Sequence, residues 1–527
     1  MANNMSKIKV AILCIVLVVS LIGCMTEPAD TQSKRPSLTI GESIVIGKHS
    51  EDGRTESFLG IPFAQPPVGD LRWAPPVAFT HSKDTFLADN FAPACMQGSR
   101  ITQWYKNVVQ GFGGDPRVVI APKVSEDCLY LNIWRPTTSS HTDDPLLPII
   151  VYIHGGSNKA GWSYEPNYIG KNMATDGVIV ISIAYRLGAF GYFSHPAFEH
   201  SNFGLLDMVE ALRWINQNSI AIGGDPTRIT LMGESAGAGN IDYLMAIPAS
   251  KGLFSRAIHQ SSGSAMSNRA TKEDDTVLGI ALAKKLLATE ITDVAQELRQ
   301  IPADTVLYAS EVIYKDHYYD NAVDGQSVLE PLVDTIKAKK LHTTELLIGS
   351  NEHESLMYLN ENLSVEEWLQ SEANSEDIMA LQLLVDHFPN EQDQLNMLST
   401  AKTFLCPALR LAEEISGMRG HSWVYYFNRQ RDGEMAATMG AYHGAELPYV
   451  FDTHDDWLPT SQVDRQLTDL IKRYWVNFAT TGNPNDDDLT FWPQFTAQIP
   501  KVITLGNTID VSTHSQAALC EFLGPRF

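Results

Sequence analysis

"TLMGESAGAGN", Thr230 to Asn240, sets Ser235 between two glycines directly after a run of strand-forming residues. Read outward, "RITLMGESAGAGNIDYLMAI" divides into a short strand over Arg228–Met232, a tight turn, and a helix from about Ala236. This is the context of a nucleophile elbow. Gly233 and Gly237 leave room for a strained turn that holds the Ser235 hydroxyl clear of a sheet, and the N–H of Ala236 at the helix start can face an oxyanion. G-x-S-x-G arises by chance roughly once in every five or six chains of this length. The reading therefore depends on the rest of the chain supplying a histidine base, a carboxylate to orient it and donors for an oxyanion.

Upstream, "LPIIVYIHGGSNKAG" is an apolar, β-branched run from Leu147 to Ile153 that breaks into glycines after His154. A buried strand ending in this way frees backbone N–H groups to point at a ligand. Downstream, "LLIGSNEHES" is a second apolar strand running into a loop with Glu352 and Glu354, and "MGAYHGAELPYVF" places His443 after a glycine-containing turn. The order Ser, Glu, His is that of an α/β-hydrolase. Glu352 and Glu354 are two apart and would share a face of an extended segment, so periodicity does not choose between them.

The 527 residues are 44% apolar and 19% charged, the balance of a soluble globular protein. Length alone suggests about three domains. No linker, repeat or low-complexity tract interrupts the chain after about residue 38, however, and 38–527 reads as one elaborated domain. Within it, residues from about 271 to 420 alternate helical patterns with polar loops and read as a helical cap and side insertion. A net charge of −23 excludes nucleic acid as a partner, because neutralising phosphates takes clusters of Lys and Arg. It reads as a solubilising acidic surface. The Asp-rich turn "NPNDDD" lacks the ligand pattern of a calcium loop, and no metal is expected.

Lys7 and Lys9 precede the apolar run "VAILCIVLVVSLIG", the length of a signal h-region and short for a spanning helix. The run ends in "LIGC" and resembles a bacterial lipoprotein signal. On that reading residues 1–24 are the signal segment, cleaved before Cys24, which is lipidated; 25–37 form a short linker, and the protein is exported and held at a cell-envelope membrane by lipid. An ordinary secretory signal with an incidental cysteine is the alternative, and it too implies export. With Cys14 in the signal and Cys24 lipidated, Cys95, Cys128, Cys406 and Cys520 remain. In an oxidising compartment these suggest two disulfides, with three possible pairings.

"GIPFAQPPVGDLRW", "SEDCLYLNIW", "HGGSNKAG", "YRLGAFGYF", "NFGLLDMVEALRWINQN", "GGDPTRITLMGESAGA", "GSNEHES", "YHGAELPYVF" and "YWVNFATTGNPN" together resemble the type-B carboxylesterase family, from about Leu59 to Phe522. That group includes the cholinesterases, bacterial p-nitrobenzyl esterases and fungal lipases. The resemblance implies an α/β-hydrolase fold: a large, mostly parallel central sheet flanked by helices, with helical insertions. It implies hydrolysis of small-molecule carboxylic esters through an acyl-enzyme, with no cofactor. The family pattern G-x-N-x-x-E falls on Gly349, Asn351 and Glu354 and selects Glu354 as the triad acid; the triad histidine falls on His443, and the oxyanion donors on Gly156, Ser157 and Ala236. Family disulfides fall on Cys95 with Cys128 and on Cys406 with Cys520.

Two departures stand out. Ser157 and Asn158 replace the glycine and aromatic residue of many relatives, and no cysteine lies between Ser235 and Glu354. The loop between Cys95 and Cys128, with Trp104 and Tyr105, corresponds to one that rims the active-site gorge of relatives, where those aromatics either bind substrate or pack. Two other functions share this fold: a lipase acting on lipid interfaces, and a non-catalytic cholinesterase-like binding module, which typically lacks the nucleophile.

Overall fold

The run Leu147–Ile153 lies in the middle of a sheet, and its side chains alternate between two cores. The computed structural model describes residues 35–137, 145–263, 266, 271–287, 292–360, 362–433 and 436–524. Eleven strands pair into one sheet: β1 (Lys48–His49), β2 (Thr55–Pro62), β3 (Tyr130–Pro136), β4 (Leu147–Ile153), β5 (Ile179–Ile183), β6 (Gly224–Glu234), β7 (Arg256–Gln260), β8 (Glu345–Asn351), β9 (His421–Phe427), β10 (Lys501–Leu505) and β11 (Ile509–Thr513). Their spatial order is β11-β10-β9-β8-β7-β6-β4-β5-β3-β2-β1. From β5 to β10 the pairing is parallel, and both flanks are antiparallel.

Parallel strands are covered on both faces and so carry continuous apolar runs. Ile149, Val151 and Ile153 of β4 join Ile179 and Ile181 of β5 and Ile229 and Leu231 of β6 in one core, while Ile150 and Tyr152 join Val180 and Met232 in the other. The first core is covered by α1 (Phe203–Asn218), through Leu205, Met208, Leu212 and Ile215. α4 (Gln462–Thr481) covers the second with Leu467, Ile471, Trp475 and Phe478. α4 starts on a capping box made by Ser461 and Asp464, and it stops at Gly482, whose φ of 82° ends the helix in the left-handed region.

β4 pairs with β5 on one side and β6 on the other, so the chain reverses its winding direction there. Ligand sites of open parallel sheets form at such reversals, beyond the carboxyl ends of the strands. Register brings those ends together: Ile153 of β4 lies opposite Gly233 of β6, and Gln260 of β7 opposite both Glu234 and Gly349. β6 is longer than the Arg228–Met232 expected from sequence, because its pairing with β7 continues through Glu234.

The stretch from 271 to 420 is helical on both sides of β8, which threads through its middle. Before β8 come the helices Lys272–Leu286, Val294–Gln300, Ala303–Ile313 and Leu332–Lys337. After it, Val365–Glu372, Ile378–Val385 and Glu391–Thr400 build a small third core from Trp368, Leu381 and Leu398, closed by Leu519 and Leu523. A disulfide joins Cys406, at the start of α3 (Cys406–Gly417), to Cys520, across 114 residues; the other joins Cys95 to Cys128. The Asp-rich turn is held by Arg473 and Asn477, both of which donate to Asp486.

Replacing both Cys406 and Cys520 by Ala should destabilise the chain by about 4 to 5 kcal/mol, the chain-entropy value for a loop of this length. Urea unfolding of native and doubly substituted protein measures the difference.

Candidate active site

β6 ends on Glu234, and Ser235 takes φ 55° and ψ −125° before α2 (Ala236–Leu244) begins. A serine does not rest in this region unaided. Its N–H donates to the Gln260 carbonyl at 2.8 Å, and its own carbonyl accepts from Gly239 N–H at 3.0 Å. Glycine is required on either side by close approach: a Cβ on Gly233 would lie 2.7 Å from the Gly237 carbonyl carbon, and one on Gly237 would strike the Ile153 carbonyl oxygen.

Beyond β4 the chain turns sharply through three successive positive φ values, 103° at Gly156, 60° at Ser157 and 53° at Asn158. Lys159 and Ala160 N–H both donate back to the Gly156 carbonyl, at 3.1 and 3.2 Å. Among the described residues no acceptor takes the N–H of Gly156 or Ser157. Ala236, first residue of α2, has no acceptor within the helix. All three line one cavity of about 1030 Å³ together with Ser235, Glu354 and His443.

His443 Nδ1 lies 2.6 Å from Glu354 Oε2, while Asn351 N–H donates to Glu354 Oε1 at 2.6 Å. The Asn351 side-chain amide donates to Glu446 Oε2 at 2.6 Å, and Gln260 Nε2 to Glu446 Oε1 at 2.9 Å. Asn351 thus holds two carboxylates at once, a physical reason for an asparagine at this place in the G-x-N-x-x-E pattern. On the other side of the ring, His443 Nε2 is 3.1 Å from Glu234 Oε1, close enough to pair by charge though not aligned for a hydrogen bond. No hydrogen bond joins Ser235 Oγ to His443 among the described residues. Glu352 turns away: its carboxylate lies 3.6 Å from His353 Nδ1.

Electrostatics at this cluster work in opposite directions. Burial pulls the His443 pKa down, but the charges of Glu234 and Glu354 and the hydrogen bond that the ring donates to Glu354 outweigh it and hold the imidazole well above its ordinary value. Burial raises Glu234, and the neighbouring Glu446, Glu354 and Glu165 raise it further against the pull of His443. Glu446 is raised by burial and by Glu354. Neither Glu234 nor Glu446 was singled out from sequence. The available signals were the variable position of G-x-S-x-G for Glu234 and a position three residues after His443 for Glu446.

Trp104 and Tyr105 both line the cavity, on a helix (Arg100–Gly111) inside the loop closed by Cys95 and Cys128. Tyr105 is buried, and its hydroxyl donates to Glu165 Oε2 at 2.7 Å. Burial raises Glu165 to a pKa of about 7. His154 is buried too, which lowers its pKa to about 4 and leaves it neutral.

A predominantly parallel sheet between two helical layers, with a strained serine at the end of a central strand, defines an α/β-hydrolase. The chain belongs to the carboxylesterase family, whose model matches residues 35–523. It is 29% identical over 497 residues to para-nitrobenzyl esterase of Bacillus subtilis (strain 168), covering 91% of this chain and 96% of that protein. Fumonisin B1 esterase of Sphingopyxis macrogoltabida is 30% identical over 528 residues, covering 93% and 90%. The solved structure of a PNB esterase superposes with a TM-score of 0.78 at 27% identity, covering 94% of this chain and all of the other. The protein is a carboxylic ester hydrolase.

Glu234→Gln removes one of the charges that raise His443, so the imidazole should titrate at lower pH than in the native chain. The low-field Nδ1–H proton resonance of His443, followed against pH in both proteins, reads the change; an unmoved midpoint would mean that Glu234 carries no charge while His443 titrates.

Proposed function

We propose that hydrolysis proceeds through an acyl-enzyme on Ser235, with His443 as general base and acid and Glu354 as the carboxylate that orients it. The observation that carries this reading is the 2.6 Å contact between Glu354 and His443 in the same cavity as a serine held at φ 55°. A serine hydroxyl is a poor nucleophile at neutral pH. His443 Nε2 takes its proton as Oγ attacks the acyl carbon, and Glu354 fixes the tautomer and stabilises the imidazolium. Glu234 sits on the same nitrogen, so it competes with Ser235 for Nε2 and also stabilises the charge that the ring acquires.

The oxyanion is received by the N–H groups of Gly156, Ser157 and Ala236, which have no other acceptor to give up among the described residues. Such preorganised donors cost no rearrangement as charge develops. His443 then protonates the leaving alcohol, and a water molecule releases the acid by the same route. Esters of small molecules are the substrate class, in keeping with relatives named for p-nitrobenzyl and fumonisin B1 ester hydrolysis.

Ser235→Ala should lower kcat for p-nitrophenyl acetate by roughly a millionfold, as loss of the nucleophile does where a triad acts as a unit. Glu354→Gln favours the wrong tautomer and should cost about 10⁴ in kcat. Glu352→Gln, which removes a group facing His353, should leave kcat close to native. Near-native turnover by folded Ser235→Ala protein would refute the mechanism.

We also propose export and lipid anchoring at Cys24. Residues 1–34 lie outside the described residues, so the support is the sequence: two lysines, a 14-residue apolar run and the Leu-Ile-Gly-Cys end. Among the described residues no helix is long and apolar enough to cross a membrane. Labelled palmitate should enter the native protein and fractionate with membranes, and Cys24→Ala should take up none. A native protein that takes up no label overturns the assignment.

A further inference from the structure

Three buried asparagines from three separate segments form a closed hydrogen-bonded circuit around the oxyanion loop. Asn321 Nδ2 donates to Asn240 Oδ1 at 2.7 Å; Asn240 Nδ2 donates to Asn158 Oδ1 at 2.8 Å; and Asn158 Nδ2 donates to the Tyr319 carbonyl at 3.1 Å. Tyr319 and Asn321 belong to one segment, so the chain of amides returns to where it began. All three side chains are at least 97% buried. Every link pairs a donor with an acceptor, so turning any one amide over would set like groups face to face; the network itself fixes the orientation of each.

The placement of the three residues gives the circuit a role. Asn158 directly follows Ser157, one of the proposed oxyanion donors, and both stand at positive φ, 60° and 53°. Consecutive non-glycine residues persist in that region only where their surroundings over-determine them. Here the Asn158 backbone carbonyl accepts from Gly188 N–H at 2.7 Å, while its amide is held at both ends. Asn240 lies on α2 four residues after Ala236, hence on the same helix face one turn on. The Asn158–Asn240 bond therefore ties the loop carrying two donors to the helix carrying the third. Asn321 extends this tie to Tyr319 and Asp320, which line the same cavity.

We propose that Asn158, Asn240 and Asn321 are positioning residues of the oxyanion site. They set the N–H groups of Gly156 and Ser157 against that of Ala236. The inference rests on the acyl-enzyme reading. It predicts a loss specific to the transition state, since a displacement of about 1 Å in a preorganised site costs about 100-fold in rate.

The test uses Asn240→Leu, Asn321→Ala and the two combined, in the full chain. Three quantities are measured: kcat and KM for p-nitrophenyl acetate, the inhibition constant of an alkyl trifluoromethyl ketone whose adduct with Ser235 places an oxyanion in the site, and the melting temperature. In each single variant kcat should fall by about 10- to 100-fold with KM little changed. Ketone binding should weaken by the same factor. The double variant should be no worse than the poorer single, because both break one circuit. A lowered melting temperature with native kcat and native ketone binding would make the circuit purely structural and overturn the proposal. Lowered kcat with native ketone binding, or losses that multiply in the double variant, would overturn it as well. If Asn240→Leu does not fold, Asn321→Ala at the other end of the circuit decides by the same readouts. A native chain that neither turns over ester nor binds the ketone overturns the acyl-enzyme reading itself, a result distinct from any difference between variants.

Discussion

The site is built where β4 and β6 run side by side and end together. Ile153 stands opposite Gly233, and α2 starts so close to the end of β4 that a Cβ at Gly237 would meet the Ile153 carbonyl oxygen. This one contact decides much of what surrounds it. It forces glycine at 237, whose backbone in turn leaves no room for a Cβ at Gly233, and it delivers the loop after β4 to the amino-terminal end of α2. Backbone N–H groups from two distant parts of the chain then converge on one cavity. The strain at Ser235 and along Gly156–Asn158 is local; what sustains it is the two cores that clamp the parallel strands from either face.

Around His443 the structure accepts a second kind of cost. Glu354, Glu234 and Glu446 are all buried beside one imidazole, and burial of carboxylates opposes their charged forms. Hydrogen bonds from Asn351 and Gln260 offset part of this penalty for Glu354 and Glu446, whereas Glu234 relies chiefly on the imidazole. The ring is thus flanked by acids at both nitrogens, one hydrogen-bonded and one not. Such an arrangement favours the positively charged ring, which is the form that general-base catalysis creates.

Legibility from sequence followed the range of the interactions. Strand β4 was readable to the residue because its apolar, β-branched run records burial on both faces, and the elbow because glycine spacing records a local steric demand. Glu352 and Glu354 are inseparable by periodicity because alternation between faces describes an extended segment. The chain in fact turns after Asn351, bringing Glu354 back under its own strand while Glu352 faces His353. Glu234, Glu446 and the three asparagines left no comparable trace. Their surroundings are assembled from strands, helices and loops far apart in the chain, and a polar residue in isolation looks the same whether solvated or buried. β8, by contrast, is legible as the apolar strand in "LLIGSNEHES" even between the helical patterns of 271–420, because the run Leu346–Ile348 records burial in the sheet.

The disulfide between Cys406 and Cys520 bears on how such a molecule comes into being. Lys402, Thr403, Phe404 and Pro407 line the cavity on one side of that bond, and Leu523 lines it on the other. That part of the lining is therefore finished only when a late segment of the chain docks onto an earlier one. In a polypeptide made from its amino terminus, Ser235 and its glycine turn exist long before the pocket that gives them a purpose. Until that late segment is made and docked, the groove around Ser235 lacks the lining that Leu523 supplies.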